Sequence, residues 1–258
     1  MDLILCIESA TEVCSVVLAG DEKILGIRES SSRNVHSAML TLFIDEIIQS
    51  SGFEIAALDA IAVSMGPGSY TGLRIGVATA KGLCYALDKP LISVPTLQAM
   101  AMGMNDRLPI SNDQLPATNG QSADILHQLK SKIGNRKSEI LFCPMIDARR
   151  MEVYAAIFDQ KNREVREAAA EVIDAFSFQE LLAEHTIVFG GEGADKCKTV
   201  MEEHPNVMFI DGFKTSAKFM VELAGEKFRQ KQFENLAYFE PFYLKDFVAG
   251  KPRVKGLN

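Results

Sequence analysis

Twice along this chain, three apolar runs of strand length are followed by alternating helix-length and strand-length patterns, and that repeated order constrains the fold most. In the first half, 3–7, 14–19 and 23–27 read as strands, with Gly20-Asp21 as the hairpin turn before the third. A helix over 34–51 comes next, capped by Asn34 and stopped by Gly52. Then follow a strand at 58–64, a glycine-rich loop, a helix over 70–87, a strand at 90–94 and a helix from Thr96 to about residue 104. The second half repeats this order: strands at 140–146, 152–158 and from 163, a helix near 178–184, a strand at 186–189, a helix near 194–203, and a strand at 206–210. Thr215 then caps a helix reaching Gln230, and the stretch from Tyr243 onward reads as a poorly anchored basic end. The expected fold is α/β, built from two βββαβαβα units. Residues 1–104 form the first domain and 140–258 a second, smaller one with a C-terminal helix and tail. Between them, 105–139 is a polar insertion rich in Pro, Gly, Asn, Asp and Ser.

Charge and composition remove several functions. The 258 residues carry 27 Lys+Arg against 34 Asp+Glu, a net charge of −7. That is the wrong sign for a protein that grips nucleic acid unaided, because such affinity comes mostly from cations on phosphates; a role beside a basic partner survives. No stretch approaches the roughly 18 apolar residues of a membrane span. The start, MDLILCIESA, has no basic lead-in and reads as a first strand rather than a signal peptide. Five scattered cysteines with no CxxC spacing argue against a disulfide framework or structural zinc and for a reducing cytoplasm. His36, His127, His185 and His204 form no i, i+4 pair and no HExxH, so a helical metal site has no local basis.

Three junctions hold residues suited to an anion. Ser64–Arg74 (SMGPGSYTGLR) passes from strand through glycines into a helix, aiming backbone N–H groups and the positive end of the helix dipole outward. Its spacing matches neither GxGxxG nor the Walker loop, so a tight βα turn explains the glycines equally well. Glu8-Ser9-Ala10-Thr11 lies between the first two strands, and Asp147–Glu152 occupies the equivalent turn of the second half. Gly190-Gly191-Glu192-Gly193 is a further strand-to-helix junction. A nucleotide cleft would draw on Glu8, Ser9, Thr11, Gly66, Gly68, Asp147, Arg149, Gly191 and Gly193.

The two N-terminal helices are apolar on more than one side. In the helix over 70–87, Gly72, Gly76 and Ala80 form one small-residue ridge and Ala78, Gly82 and Ala86 another. Each interior Gly costs about 1 kcal/mol relative to Ala, which close approach of a neighbouring helix would offset. Arg74 and Lys81 are the formal charges between Thr71 and Leu87, seven apart and on one face. In the helix over 34–51, His36, Leu40, Phe43, Ile44 and Ile47 form the core stripe, while Val35, Met39 and Leu42 form a second stripe outside it. A partner face of Val35, His36, Met39, Leu42, Gly72, Arg74, Gly76, Ala78, Lys81 and Gly82 follows, used for a homodimer when no other partner is present. Burial of both helices within their own chain accounts for the pattern as well.

Glu8-Ser9-Ala10-Thr11 with Cys14-Ser15-Val16, His36-Ser37, the run GPGSYTGLRIG from Gly66 to Gly76, DARRMEVY from Asp147 to Tyr154, and Tyr243-Leu244-Lys245 together resemble the TsaB (YeaZ) family. The resemblance spans nearly the whole chain outside 105–139 and departs at Glu8, where relatives usually have Asp. It implies the actin-like (ASKHA) fold of duplicated RNase H-like units. It also implies a non-catalytic subunit of the bacterial machinery that makes N6-threonylcarbamoyladenosine (t6A) at adenosine 37 of tRNAs. Further implications are pairing with a TsaD-type transferase through the helices at 34–51 and 70–87, a TsaE-type ATPase joining that pair, a TsaC-type synthase supplying the activated group, and tRNA reached only through the complex. No resident cofactor is implied beyond weak ATP or ADP binding, mainly at the complex, and no metal: the HxxxH of the transferring paralogue has no counterpart here. Two enzyme readings stand beside this one. The first is an ASKHA-fold ATPase or small-molecule kinase using Glu8, Thr11, Gly191 and Gly193 around Mg·ATP. The second is a metalloprotease.

Overall fold

The computed structural model describes residues 1–31, 36–108 and 139–245. Strands β1 (Leu3–Glu8), β2 (Cys14–Gly20) and β3 (Lys23–Ser30) form an antiparallel meander, and β4 (Ala60–Gly66) and β5 (Leu91–Pro95) add parallel strands on the other side of β1. The sheet order is β3-β2-β1-β4-β5. β1 is buried at every position, as a central strand covered on both faces must be, whereas the edge strand β3 is exposed or half-buried. The second half repeats the pattern with β6 (Ile140–Asp147), β7 (Glu152–Phe158), β8 (Glu164–Val172), β9 (Thr186–Gly190) and β10 (Val207–Ile210), in the order β10-β9-β6-β7-β8. Read from the other end, both sheets have one topology, with the same antiparallel and parallel pairings. This is the duplicated βββαβαβα arrangement expected from the order of elements.

Helices α1 (His36–Ser51) and α2 (Tyr70–Leu87) cover one face of the first sheet. There Leu40, Phe43, Ile44, Ile47, Val77 and Ala80 meet Leu5, Ile7, Val16 and Ile61 in one core. Helices α4 (Gln179–Glu184) and α5 (Glu192–Met201) cover the outer face of the second sheet. Between the sheets, α3 (Thr96–Arg107) packs mainly on β6 and β7, while α6 (Val221–Arg229) packs on β5 and β1. Each half thus lends a helix to the other half's sheet. The shared core runs from Ile4, Cys6 and Val94 through Met100 and Met104 to Phe142, Val188 and Phe219. All five cysteines are free and buried in these layers. Among the described residues no helix is long and apolar enough to cross a membrane.

Several sequence expectations change in detail. The β2–β3 turn is centred on Asp21 and Glu22, both left-handed, because Gly20 is still paired within β2. Thr215 does not cap the last helix. It is buried, and Ser216 caps a short 3-10 turn (Ala217–Met220) that leads into α6. The tail as far as Lys245 is anchored: Glu234 bridges to Leu91 on edge strand β5, the Phe242 N–H donates to Met65 O (2.7 Å), and Lys245 pairs with Glu152 of β7. The Asn34 cap, residues 109–138 of the polar insertion and the basic end beyond Lys245 lie outside the described residues.

At Gly103 of α3 a Cβ would overlap the Phe219 ring, itself stacked on Phe213. Gly103→Ala sets a helix gain of about 1 kcal/mol against about 1–3 kcal/mol of overpacking in a core with little slack. The melting temperature falls; a rise in thermal unfolding would show that the ring has room to move.

Candidate functional site

The β1–β2 turn is the point on which the glycine-rich loop closes. Ser9 donates its N–H to Ser64 Oγ (3.3 Å) and its hydroxyl to Gly72 O (2.9 Å), while Ala10 O accepts from Ser69 N–H (2.6 Å). A Cβ at Gly68 would overlap Ala10, and one at Gly72 or Gly76 would overlap Ser9. Gly66, at φ +113°, donates its N–H to Thr96 Oγ1 (3.1 Å) and lies under the Phe242 carbonyl. Ser69 caps α2 by accepting from Gly72 N–H (3.3 Å). The glycines therefore serve close approach of backbone to backbone within the chain. Gly72 and Gly76, expected on the partner face, are buried against Ser9 and cannot belong to it. The i, i+4 ridge signalled correctly that something approaches closely; the neighbour is a strand turn rather than a second protein.

Glu8 sits at the end of β1, 1% exposed, with Ala10 N–H donating to its Oε1 (2.6 Å). Burial pushes its carboxyl up to about 7, against the opposing pull of the Ala10 N–H and the Ser64 hydroxyl.

Around the cleft between the halves, Thr11 Oγ1 and Thr215 Oγ1 are hydrogen-bonded at 2.7 Å, tying the β1–β2 turn to the segment before α6. Thr11, Met100, Met145, Gly191, Glu192 and Lys214 line a narrow space between the halves, closed so far that no water-sized room is left inside it. Gly191, at φ +108°, is pressed against Met145 O and the Met100 methyl, and Gly193 against the carbonyl of Ile146. Of the nine residues expected in a nucleotide cleft, the structure brings Thr11 and Gly191 together on the lining. Glu8 and Ser9 are sealed beneath the turn, and Gly68 faces Ala10. Asp147 is engaged by Lys196 and by Arg149 N–H (2.8 Å), while the Arg149 side chain is exposed on the β6–β7 hairpin. Sequence reasoning missed Glu192, Lys214 and Thr215. Burial and the carboxylate of Glu12 raise the Glu192 carboxyl above its usual range, and the Lys214 ammonium opposes them. The intervening Glu in Gly191-Glu192-Gly193 was the available signal.

On the outer side of α1 and α2 the second small-residue ridge is open. Ala78, Gly82 and Ala86 are exposed, and among the described residues nothing lies within 4 Å of a Cβ built at Gly82. Leu42 is 45% exposed on α1 and Tyr85 84% exposed on α2; Met39 is half-buried against the core. Tyr85 is a face residue that the ridge pattern did not single out. Arg74 is exposed and bonds Tyr70 Oη (2.9 Å) while lying over its ring. Lys81 departs from expectation: its ammonium donates to the carbonyls of Phe239 (3.1 Å) and Ala237 (3.4 Å), so the chain's own tail engages it. Val35 and the His36 side chain lie outside the described residues.

Comparison with known proteins places these features. Residues 16–121 match the family described as TsaD, tRNA N6-adenosine threonylcarbamoyltransferase. The tRNA threonylcarbamoyladenosine biosynthesis protein TsaB of Haemophilus influenzae is 28% identical over 260 residues, covering 96% of this chain and 95% of that protein. The TsaB of Escherichia coli is 39% identical over 100 residues, 39% of this chain and 43% of that protein. Among solved structures, YeaZ from Pseudomonas aeruginosa superposes with a TM-score of 0.68 at 22% identity, covering 95% of this chain and all of that one, a likeness of fold.

Because the buried Glu8 carboxyl titrates near 7 rather than at its ordinary 4.5, its neutral form is the one folding favours. Its contribution is intact below about pH 4.5 and is lost as pH rises through about 7, to about 3 kcal/mol at alkaline pH. Glu8→Gln keeps an acceptor for Ala10 N–H and removes the charge. Thermal melts should coincide with the parent near pH 4.5 and lie above it at pH 8.5. Equal melts at both pH values would mean that the carboxylate is ionised at no cost.

Proposed function

We propose, from the premise that the chain is a relative of the TsaB (YeaZ) proteins along nearly its whole length, that it serves t6A synthesis on tRNA as a non-catalytic subunit. In this reading it pairs with and activates a TsaD-type transferase through the outer side of α1 and α2. A TsaE-type ATPase joins the pair and a TsaC-type synthase acts upstream in the cytoplasm. The observation that carries the proposal is the open ridge Ala78-Gly82-Ala86 with the exposed Tyr85 beside it on α2, a helix whose opposite side is engaged by its own sheet, and the exposed Leu42 on the neighbouring α1. A glycine at a solvent-facing helix position, with no described residue near it, costs helix stability without a packing gain among the described residues. Close approach of a partner helix supplies the compensation, and an exposed tyrosine beside a small-residue groove is a common anchor at such interfaces. When the transferase is absent, a second copy of the chain covers the same face. Any ATP or ADP is bound weakly and mainly at the complex, a view supported by the small volume between the halves.

Gly82→Leu and Gly76→Leu separate the partner face from the chain's own packing. With the transferase co-expressed, Gly82→Leu should abolish co-purification while the melting temperature holds or rises slightly, since Leu is about 1 kcal/mol the better helix former. Gly76→Leu drives a side chain into Ser9 and should lower the melt whether or not the partner is present. Retention of the complex by Gly82→Leu, at wild-type yield, would refute this interface.

A further inference from the structure

The β6–β7 hairpin turns through Arg149 and Arg150, both left-handed, with φ of +75° and +51°. The turn closes through Glu152 N–H to Arg149 O (3.2 Å) and Ala148 N–H to Glu152 O (3.1 Å). The β-turn runs from Arg149 to Glu152 with Arg150 and Met151 at its centre, and the left-handed backbone at Arg149 and Arg150 suits Gly or Asn, so two arginines adopt it against their preference. The β2–β3 turn makes the same departure with Asp21 and Glu22, but there both side chains are employed: Asp21 accepts Asp2 N–H (2.8 Å), and Glu22 pairs with Arg229. Nothing comparable compensates Arg149 and Arg150.

Eight arginines fall among the described residues, and six are engaged. Arg28, Arg163, Arg166 and Arg229 have carboxylate partners, Arg74 bonds Tyr70, and Arg107 lies over the Phe213 ring. Arg149 and Arg150 are exposed, and among the described residues their side chains have no ion pair, hydrogen bond or ring contact. The two acids that flank them are already neutralised, Asp147 by Lys196 and Glu152 by Lys245. In a chain of net charge −7, this strained hairpin tip therefore carries two uncompensated guanidinium groups on a rigid base. Strain kept without internal return points to an external ligand, and paired guanidinium forks match phosphate oxygens.

We infer that Arg149 and Arg150 contact the phosphate backbone of the tRNA substrate, an inference that rests on the t6A reading above. Positioning by phosphates is independent of sequence and adds affinity in proportion to the cations supplied, so an otherwise acidic subunit contributes through this one projection.

The test uses the full chain in complex with its transferase and an unmodified tRNA transcript, titrated over a range of salt. The double variant Arg149→Asn, Arg150→Gly should bind the transcript on the order of tenfold more weakly, and the slope of log K against log salt should shrink by about 1.5–2, roughly 0.9 per phosphate contact. Its melting temperature should hold or rise, because Asn and Gly adopt left-handed backbone with less strain than Arg. Arg149→Lys with Arg150→Lys should restore most of the affinity. Unchanged affinity and slope would overturn the inference, as would a lower melt, which would make the arginines structural. Loss of the transferase with RNA binding by the free chain unchanged would also overturn it, since the arginines would then grip an acidic protein surface. The same titration of the chain alone at low salt gives an answer even if the complex never forms, and failure of the complex to form refutes the pairing with the transferase instead.

Discussion

The approach of one backbone to another at the β1–β2 turn organises the first half of this protein. Ser9 and Ala10 receive the strand-to-helix loop so closely that Gly68, Gly72 and Gly76 have no room for a Cβ. The contact sets where α2 starts, because Ser69 both bonds Ala10 O and caps the helix. It also sets which side of α2 faces inward and which side stays open to solvent. Glu8 is sealed under the same contact, which is why its carboxyl is desolvated.

Helix exchange between the halves has a second consequence. With α3 lying on the second sheet and α6 on the first, the halves share one apolar core. The Thr11–Thr215 hydroxyl bond and the Met100 side chain close the narrow space between them. The second half repeats the packing logic of the first at Gly191 and Gly193, where glycine again admits backbone against backbone. The same residue type that cradles phosphate in open loops here brings strands and helices of one chain together, and spacing alone does not separate the two uses.

The strand and helix order was legible throughout the described residues because burial and periodicity are local properties. β1, β6 and β9 are uninterrupted apolar runs, and α1 and α2 carry their core stripes at helical spacing. The site was legible only in part. The exposed ridge of Ala78 and Gly82 was readable because an apolar helix has two sides and one sheet to cover them. Lys81 was misread because its partners, the carbonyls of Ala237 and Phe239, lie more than 150 residues away in sequence. Thr215 looked like a helix cap by local grammar, and a cross-chain hydroxyl claimed it.

From the sequence alone came the duplicated α/β order, the acidic balance, the reduced and unpaired state of the cysteines, and the presence of small-residue ridges that require a close neighbour. Each follows from composition or from a period of two or 3.6 residues, which needs no knowledge of distant contacts. Only the tertiary structure decided which neighbour each ridge meets, how little space lies between the halves, and that the arginines of the β6–β7 hairpin stand strained and unpaired. Those are statements about groups far apart along the chain, or about backbone angles, and residue order by itself specifies neither.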